Sequence, residues 1–487
     1  MTTAASLIRE VRQRWPQARR LTADSRQVQT NDVFLAFPGD VHDGRRHVDA
    51  ALAAGAAAVL WEPAGAETDL ARLPGLAVAN LRGQAAELAA EWWQHPSRAL
   101  WMVGVTGTNG KTSCSHWLAE ALARLGRRTA VIGTLGNGFP EALAGSSHTT
   151  PDPVTLQGLL ADYRAAGAAA IAMEVSSHAL DQGRVAAVAF DIAVLTNLSR
   201  DHLDYHGDMA RYAAAKARLF HWPGLRQAVL NLDDEFGQHL ARALAASDVR
   251  VLGYGLRAGE IRGEGLRLGV DGLSLDVRTP WGNGRLDSRL LGEFNAYNLL
   301  ACLGVLLASE IPFDAALAAL AEVHAVPGRM QRLGGGGQPT VVVDYAHTPD
   351  ALDKTLATLR PLARGRLRCV FGCGGGRDKG KRALMGEVAA RRADAVIVTS
   401  DNPRHEDPAA IVADILAGMP AGQVVRLDRA EAIGIAIAEA GPDDVVLIAG
   451  KGHETYQEVG NERLPFADAE VARRALAARK EAAHAPS

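Results

Sequence analysis

The sequence predicts an α/β protein of three domains, in which a central, mostly parallel sheet is flanked by two smaller α/β domains. Short apolar runs alternate with helical patterns along the chain, as parallel strands with crossover helices require. A glycine-rich loop joins one such run to a helix at residues 103–112. With 487 residues, the chain is longer than one hydrophobic core usually organises. We expect domains at residues 1–98, 99–326 and 327–487.

Composition excludes several classes of protein. The net charge of −3 gives no electrostatic reason to expect a nucleic-acid partner, and 48% hydrophobic with 22% charged residues is typical of globular proteins. No apolar run approaches the length of a membrane span, and the first residues lack the apolar core of a signal peptide. Four cysteines are too few for a disulfide framework. We therefore expect a cytoplasmic protein with reduced thiols, no nucleic-acid partner and no membrane insertion.

The first domain is predicted from two strand-like runs, at residues 33–37 and 57–61, each followed by a proline. Two of its loops, residues 22–26 and 40–47, combine hydroxyl, carboxylate and guanidinium groups. Such loops suit a nucleotide or a sugar phosphate. Solvated turn chemistry is the simpler interpretation of the same residues.

The loop at residues 106–112 carries the strongest chemical signal of the chain. Gly107 and Gly110 allow backbone N–H groups to surround an anion. Lys111 can reach the outer phosphates of a nucleotide, and Thr112 can bind Mg²⁺. The strict Walker spacing requires a glycine where this chain has Val105. The order of strand, loop and helix, more than the spacing, therefore predicts a nucleoside-triphosphate site.

Polar side chains follow the strand-like runs of the central domain. These runs are residues 129–133, 169–175, 191–195 and 227–231. Ligands of parallel sheets bind beyond the carboxyl ends of the strands. Glu174 ends one run, and we interpret it as a Mg²⁺ ligand because a buried carboxylate is costly unless it is paired or bound to metal. His202 and His206 lie in a segment too polar for a core, and Lys216 has the pattern of a solvated lysine on an alanine-rich helix.

The pattern changes after the central parallel sheet. Short alternating runs between residues 249 and 290 predict antiparallel strands. An apolar helix follows, for which Asn295 is the candidate N-cap, while Asn298 could pair with a base edge.

The third domain is predicted to begin at the turn of residues 325–330 and to be Rossmann-like. Its strand-like runs, each followed by a polar turn, are residues 341–345, 367–371, 395–399 and 445–449. The second of these turns resembles a G-x-G-x-x-G dinucleotide loop, but Arg377 stands at the last glycine position, so that interpretation is weak. Four polar turns at one sheet edge instead predict a second pocket for a polar substrate.

Taken together, these motifs resemble those of the Mur ligases of peptidoglycan synthesis over essentially the whole chain. The matching segments are residues 106–112, 174–178, 197–207, Lys216, 295–298 and 344–349. The resemblance implies an ATP-dependent ligase that joins meso-2,6-diaminopimelate to the D-glutamate γ-carboxyl of UDP-N-acetylmuramoyl-L-alanyl-D-glutamate through an acyl phosphate. It also implies ATP and Mg²⁺ as cofactors and a monomeric protein.

The resemblance further implies roles for individual residues. The catalytic residues would be Lys111, His202 and Lys216, the last as a carbamate. Mg²⁺ would be held by Thr112, Glu174, His202 and the carbamate on Lys216. ATP would contact Gly107, Thr108, Asn109, Gly110, Lys111, Thr112, Asn298 and Arg329, with Asp344 and His347 nearby. The UDP-linked dipeptide would contact Ala23, Ser25, Asp40, Val41, His42, Thr149, Thr150, Ser176, Gln182 and Arg184.

The choice of amino acid would depend on the Asp-Asn-Pro-Arg segment at residues 401–404. The implied diaminopimelate contacts are Arg377, Asp401, Asn402, Pro403, Arg404, Gly450 and Glu454. Diaminopimelate differs from lysine by a second carboxylate, which a guanidinium binds with two hydrogen bonds, while Glu454 can take the ammonium. We expect the pocket to reject lysine because Arg404 would then be unpaired.

Other interpretations stay open. A lysine-adding ligase or a folylpolyglutamate synthetase would share the phosphate loop, but residues 401–404 argue against the first and the N-terminal domain against the second. A P-loop motor or switch would show a Walker-B aspartate in place of Glu174, and a non-catalytic nucleotide-binding scaffold is the third alternative.

The ligase interpretation requires closure about a hinge near Pro327 and Gly328. His202 or His347 would be the base for the incoming amine.

Overall fold

The structure is a computed structural model that describes residues 3–39, 42–65, 73–146 and 148–484. The chain divides into two compact units. The first comprises Met1–Arg262, Arg278–Asn283 and Tyr297–Leu320, and the second comprises Gly263–Val277, Gly284–Ala296 and Ala321–Ser487. Both units are built from sheets and helices, so the predicted α/β class is confirmed. The domain boundaries predicted near residues 98 and 326 stay predictions.

The first unit begins with a small parallel sheet. Its elements are α1 (Ala4–Arg14), β1 (Arg20–Thr22), β2 (Asp32–Ala36), α2 (Val48–Ala53), β3 (Ala58–Trp61), β4 (Gly75–Ala77) and α3 (Leu81–Trp92). The strands pair in parallel in the order β1-β2-β3-β4. Val33 and Leu35 on one face of β2 pack against Val11 of α1 and Leu88 of α3, whereas Phe34 on the other face packs against Val48 of α2. This alternation follows the two-residue period of a strand.

A larger, mostly parallel sheet follows in the same unit. Its elements are β5 (Trp101–Thr106), α4 (Lys111–Arg124), β6 (Thr129–Gly133), β7 (Gly136–Phe139), β8 (Ala142–Ala144), α5 (Pro153–Ala165), β9 (Ala170–Glu174), α6 (Ser177–Asp181), β10 (Ile192–Leu195), α7 (Leu203–His206), α8 (Met209–Ala217), β11 (Gln227–Asn231), α9 (Glu235–Leu244) and β12 (Arg250–Gly255). These strands lie in the order β12-β11-β10-β5-β9-β6-β7-β8. The six from β12 to β6 pair in parallel, and β7 and β8 are antiparallel. The carboxyl ends of β5, β9 and β10 therefore lie side by side, as predicted.

Three further strands and two helices follow: β13 (Ile261–Gly269), β14 (Gly272–Thr279), β15 (Gly282–Ser288), α10 (Glu293–Ala308) and α11 (Phe313–Ala321). Two-residue connections join β13 to β14 and β14 to β15, which are sheet neighbours, so these strands run antiparallel as predicted. The predicted N-cap is wrong. Helix α10 begins at Glu293, and Asn295 lies within its first turn, where the side-chain amide donates to the Leu291 carbonyl at 2.8 Å.

The second unit contains a further parallel sheet. Its elements are β16 (Gln331–Gly334), β17 (Thr340–Asp344), α12 (Pro349–Leu359), β18 (Leu367–Phe371), α13 (Gly380–Arg392), β19 (Ala395–Val398), α14 (Pro408–Leu416), β20 (Val424–Val425), α15 (Arg429–Ala438), β21 (Val445–Ala449), β22 (Tyr456–Val459), β23 (Glu462–Pro465) and α16 (Asp468–His484). The order is β16-β17-β21-β18-β19-β20, and only β16 is antiparallel to its neighbour. Val342 packs with α12 and α13 on one face, and Val341 packs with α15 and α16 on the other. Helices on both faces confirm the Rossmann-like prediction.

Strands β17, β21, β18 and β19 are the four predicted strands of this unit, and they are neighbours. Their parallel pairing places the polar turns that follow them at one edge of the sheet, as predicted. All four cysteines are buried free thiols. Within the described ranges, no helix combines the length and the apolar character that a bilayer crossing requires.

Candidate active site

The phosphate loop joins β5 to α4, whose first residue is Lys111. The backbone N–H groups of this first turn favour an anion in the loop. Gly110 lies directly before the helix with a φ of +89°, and a Cβ atom there would lie 2.5 Å from the Asn298 carboxamide oxygen. A Cβ atom at Gly107 would lie 1.9 Å from the Thr196 hydroxyl. Both glycines are therefore required, and the structure places Asn298 against the loop.

Lys111 folds back over the loop that precedes it. Its Nζ donates to the backbone carbonyls of Gly107 and Thr108, each at 2.9 Å. The backbone N–H of Asn109 donates to the Asn197 side-chain oxygen at 3.0 Å, so the polar stretch after β10 supports the loop. A phosphate in the loop would offer the Lys111 ammonium a charged partner in place of the two carbonyls. The structure thus brings the predicted loop residues together.

Glu174 and Thr112 form the candidate metal pair. Glu174 lies opposite Val105 in the register of β9 and β5, and it is 1% exposed. Its Oε2 accepts from the Thr112 hydroxyl at 3.0 Å, and its Oε1 accepts from the Thr134 backbone N–H at 2.8 Å. Among the described residues, no three His, Cys, Asp or Glu side chains form a metal cluster. Mg²⁺ needs few protein oxygens because it keeps waters and phosphate oxygens, so this pair fits Mg²⁺.

Lys216 is buried, and the prediction of a solvated lysine is wrong. It is 1% exposed, and its Nζ donates to the Gly107 carbonyl at 2.9 Å and lies 4.6 Å from the ring centre of Tyr212. Burial lowers the pKa of Lys216 well below its usual value, and the charge of Lys111 lowers it further. The neutral amine is the form that reacts with carbon dioxide, so this environment suits a carbamate. Tyr212, which the sequence did not single out, also bonds the Thr108 hydroxyl at 3.2 Å.

Three histidines gather beside this lysine. The ring of His178 lies 4.9 Å from that of His202 and 5.4 Å from that of His206, centre to centre. His206 is buried with its Nε2 2.9 Å from the Ser177 hydroxyl, so the expectation that it lies outside the core is wrong. It fails because α7 turns this ring back towards α6. Burial lowers the pKa of His178 to about 4, so this ring is neutral at neutral pH, and burial also lowers the pKa of His202.

Five residues predicted to bind the UDP-linked dipeptide lie together beside β9: Thr149, Thr150, Ser176, Gln182 and Arg184. Arg184 donates to the Thr150 carbonyl at 2.9 Å and to the Gln182 side-chain oxygen at 2.6 Å. The Thr150 hydroxyl donates to the Glu174 carbonyl at 2.8 Å. The Ser176 hydroxyl caps α6 by accepting from Ala179 N. This network adjoins the metal pair through Glu174.

The predicted uridine contacts lie in the first sheet's loops. Ala23 follows β1, Ser25 begins a short 3₁₀ turn that is capped by the preceding aspartate, and His42 is exposed. Asp40 and Val41 lie outside the described residues. The role of this group stays a prediction.

In the second unit, Asn402 is the centre of a buried polar network. Its Oδ1 accepts from Lys451 Nζ at 2.9 Å and from Glu458 N at 3.0 Å, and its Nδ2 donates to Glu454 Oε2 at 2.8 Å. Lys451 is fully buried and donates to the same Glu454 oxygen at 2.8 Å. Lys451 was not predicted from the sequence. The signal was its place beside Gly450, in a loop already predicted to bind the amino acid.

Arg404 adopts a left-handed conformation with a φ of +52°. Its Nε donates to Glu458 Oε2 at 2.9 Å, and one Nη donates to the Gly375 carbonyl at 2.8 Å. A Cβ atom at Gly375 would lie 1.9 Å from the Pro403 carbonyl, so the two loops touch through backbone. We expected lysine to be rejected because Arg404 would then be unpaired. That reason is wrong in its simple form, because Glu458 pairs with Arg404 even when no acceptor amino acid is bound.

The other predicted acceptor contacts border the same loops. Asp401 is buried, and burial raises its pKa. A Cβ atom at Gly450 would lie 2.7 Å from an Asp401 carboxylate oxygen, which explains the glycine. Arg377 is exposed on the turn after β18. These roles stay predictions.

The turn after β17 carries the predicted nucleotide contacts of this unit. The Arg329 guanidinium lies 4.6 Å above the Tyr345 ring, and its Nε has no hydrogen-bond partner within the described part of the chain. Asp344 fixes the preceding segment by accepting from Met330 N at 2.8 Å. The Nδ1 of His347 lies 2.8 Å from the Tyr345 carbonyl. Because a carbonyl only accepts, Nδ1 carries the proton and Nε2 keeps a lone pair.

Two glycine backbones pack directly against each other beside this turn. Gly328 has a φ of +67°, and a Cβ atom there would lie 2.1 Å from His453 N. A Cβ atom at Gly452 would lie 2.8 Å from the Gly328 carbonyl oxygen. The segment with Arg329 and the loop with Lys451 are therefore in backbone contact.

Three models of one protein family match this chain. They are the Mur ligase family catalytic domain at residues 18–93, the Mur ligase middle domain at residues 105–306, and the Mur ligase glutamate ligase domain at residues 328–452. The chain therefore belongs to the Mur ligase family.

Individual relatives match over nearly the full length. A protein of Chromobacterium violaceum named UDP-N-acetylmuramoyl-L-alanyl-D-glutamate--2,6-diaminopimelate ligase is 53% identical, over 94% of this chain and 94% of its own. A protein of the same name from Pseudomonas aeruginosa is 54% identical, over 96% and 98%. A solved structure of a ligase of that name has a TM-score of 0.69 at 38% identity and covers 95% of both chains. The MurF ligase of Thermotoga maritima in complex with ADP shares the fold, with a TM-score of 0.65 at 20% identity over 96% and 99%.

Proposed function

We propose that this chain is an ATP-dependent ligase that joins meso-2,6-diaminopimelate to the D-glutamate γ-carboxyl of UDP-N-acetylmuramoyl-L-alanyl-D-glutamate. Relatives 53% and 54% identical carry names that describe this substrate pair. The structural observation that carries the choice of acceptor is the fixed placement of Arg404 and Glu454, a cation and an anion joined through Glu458 and Asn402. We also propose that the protein is a monomer and that it acts in the cytoplasm, where its proposed nucleotide substrates would be found.

The first chemical step activates the carboxyl group. A γ-carboxylate oxygen of D-glutamate attacks the γ-phosphorus of ATP, and the bond from that phosphorus to the bridging oxygen breaks to release ADP. The N–H groups of the phosphate loop and the Lys111 ammonium stabilise the charge on the phosphoryl oxygens. Thr112 and Glu174, with His202 and a carbamate on Lys216, would hold Mg²⁺, which neutralises phosphate charge when bound.

The second step forms the amide. The amine nitrogen of diaminopimelate attacks the carbonyl carbon of the acyl phosphate, the bond from carbon to the phosphate oxygen breaks, and the nitrogen loses a proton. His202 and His347 are the two candidates for accepting that proton. His347 keeps the lone pair of Nε2, whereas His202 could serve only while its own lone pair is not bound to Mg²⁺. No protein nucleophile is required.

Selection of the acceptor requires both of its charged ends. The Arg404 guanidinium would bind the distal carboxylate, and Glu454 would accept from the neighbouring ammonium. Because the loop residues and the acceptor residues serve one reaction, the proposed mechanism requires them to meet in the catalytic complex, with Pro327 and Gly328 as the proposed hinge.

The rate of phosphate release tests this proposal directly. The purified protein is supplied with ATP, Mg²⁺ and the UDP-linked dipeptide, and with meso-diaminopimelate, L-lysine or no acceptor. We expect turnover that depends on meso-diaminopimelate and yields the UDP-linked tripeptide. Turnover that ignores the acceptor would contradict the ligase reaction, and a preference for lysine would contradict the proposed acceptor.

A further inference from the structure

The hairpin of β22 and β23 is paired with the Asp-Asn-Pro-Arg segment. Arg404 N donates to the Glu458 carbonyl at 2.9 Å, and Gly460 N donates to the Arg404 carbonyl at 2.7 Å. A non-glycine residue in the left-handed region costs free energy, so the conformation of Arg404 needs such support. The hairpin supplies it from a part of the chain to which the proposed function gives no role.

The Glu458 side chain then fixes the guanidinium itself. Its Oε2 accepts from Arg404 Nε at 2.9 Å, while one Nη of Arg404 donates to the Gly375 carbonyl at 2.8 Å. A guanidinium has five N–H groups, and these two contacts hold it from two different elements. Arg404, Glu458 and Arg463 line a surface cavity of about 360 Å³. The contacts with Glu458 and Gly375 thus fix the orientation of the remaining N–H groups of Arg404.

The charge on Glu458 is balanced on both sides. Its Oε1 accepts from Arg463 Nε at 3.1 Å, so the Glu458 carboxylate lies between two guanidinium groups. Removing the Glu458 carboxylate would make this cluster more positive by one charge, so a purely electrostatic role predicts tighter binding of an acidic acceptor. A positioning role predicts weaker binding, and the sign of the effect separates the two.

We infer that Glu458 is a positioning residue for acceptor selection, which directs the Arg404 guanidinium towards the distal carboxylate of the acceptor amino acid. The inference rests on the proposed function and deepens it. Lysine lacks the distal carboxylate, so its use does not depend on how Arg404 is oriented. Glu458 therefore acts on the discrimination between the two amino acids.

Initial rates with meso-diaminopimelate and with L-lysine test this role in the full-length protein. Glu458→Ala should raise the KM for meso-diaminopimelate about tenfold or more, the scale of a hydrogen bond to a charged group, with kcat within about twofold. The KM for lysine should stay unchanged. Glu458→Gln keeps an oxygen acceptor for Arg404 Nε and should restore most of the affinity. Glu462→Ala makes the same charge change at an exposed residue of the same hairpin and cavity, so it is the matched control for charge and should not raise either KM value.

Several results would overturn the inference. A lower KM for meso-diaminopimelate in both Glu458→Ala and Glu462→Ala would indicate electrostatics alone. An equal loss with both amino acids, or a fall in kcat at constant KM, would indicate a structural role. If Glu458→Ala does not fold, Glu458→Asp replaces it in the test. Its shorter side chain should also raise the KM for meso-diaminopimelate, and an unchanged KM in this variant would refute the positioning role. The wild-type protein distinguishes failure of the two proposals. If it does not turn over meso-diaminopimelate, the proposed function is wrong. If it does, and Glu458→Ala has the same KM, only the positioning role is refuted.

Discussion

The ammonium nitrogen of Lys451 lies 2.8 Å from a carboxylate oxygen of Glu454, and the lysine side chain is fully buried. The same nitrogen lies 2.9 Å from Asn402 Oδ1. One cation therefore fixes two of the proposed acceptor contacts. A buried ammonium is tolerated only with such partners, and its partners depend on it in turn.

Replacing Lys451 should be costly. Lys451→Met removes a buried cation from the Glu454 carboxylate, which is 19% exposed, and from Asn402 Oδ1, and we expect a loss of about 3 kcal/mol in the free energy of unfolding. The matched control is Lys354→Met, because Lys354 pairs with Asp350 at 2.7 Å with side chains 53% and 59% exposed. Exposed pairs contribute about 1 kcal/mol or less. Urea unfolding compares the two variants, and equal losses would contradict the role assigned to Lys451.

Lys216 should carry a carbamate. Burial lowers the pKa of Lys216 and so favours the neutral amine, which can add carbon dioxide, so protein supplied with ¹³C-labelled bicarbonate should show a carbamate resonance by NMR. Lys216→Ala should abolish both this resonance and ligase activity, whereas Lys354→Ala should retain both. A resonance that persists in Lys216→Ala, or full activity of that variant, would refute the modification.

Glu174 should govern metal affinity. Glu174→Gln removes the negative charge beside Thr112 while keeping an oxygen for its hydroxyl. We expect Mn²⁺ bound with ATP, measured by electron paramagnetic resonance, to bind about tenfold more weakly. Glu235→Gln, in the first turn of α9, is the control and should leave the affinity unchanged. Unaltered Mn²⁺ binding in Glu174→Gln would exclude this residue as a ligand.

His453 should make the second unit sensitive to acid. Burial, together with the charge of Arg329, lowers the pKa of His453 to about 4, whereas an unfolded histidine has a pKa of about 6.5. Between these values the unfolded chain binds more protons than the folded chain, so this contribution to stability is lost as pH falls. Denaturant unfolding at pH 7 and pH 5 should show the loss in the wild type and a smaller loss in His453→Gln. The exposed His405 provides the control, and a His405→Gln variant that behaves like His453→Gln would count against this explanation.

Gly328 should tolerate no side chain. Gly328→Ala combines a φ of +67° with a Cβ atom 2.1 Å from His453 N. Gly336 has a φ of +62° and nothing within 4 Å of a Cβ atom, so Gly336→Ala measures the backbone cost alone. We expect about 1 kcal/mol for Gly336→Ala and at least about 3 kcal/mol for Gly328→Ala. Similar losses of unfolding free energy in the two variants, measured by urea unfolding, would show that the loop with Gly452 and His453 moves away easily.

Much of the fold could be predicted because buried parallel strands are continuous apolar runs with polar ends. The run predicted at residues 367–371 is strand β18, Leu367–Phe371, and its polar turn carries Arg377. Helix starts were harder, because Asn295 has the chemistry of a cap while the helix begins two residues earlier at Glu293.

The site was predictable where one segment holds the chemistry, as in residues 106–112. Burial of Lys216 could not be inferred, because an alanine-rich helix looks alike on every face and only the packing of Tyr212 and the phosphate loop decides which residue is covered. The pairing of Arg404 with Glu458 could not be inferred from the sequence either. Glu458 lies 54 residues further along the chain, and no local pattern links the two.

The contact between Gly328 and Gly452 limits how this enzyme could be redesigned. Only hydrogen atoms separate the two backbones, so the smallest substituent available is already too large. A designer who wanted room for a bulkier amino acid could not obtain it by altering this contact without also displacing the neighbouring Arg329. The space would have to be made at the hairpin of β22 and β23, whose tip is exposed, while Glu458 is kept because it pairs with Arg404.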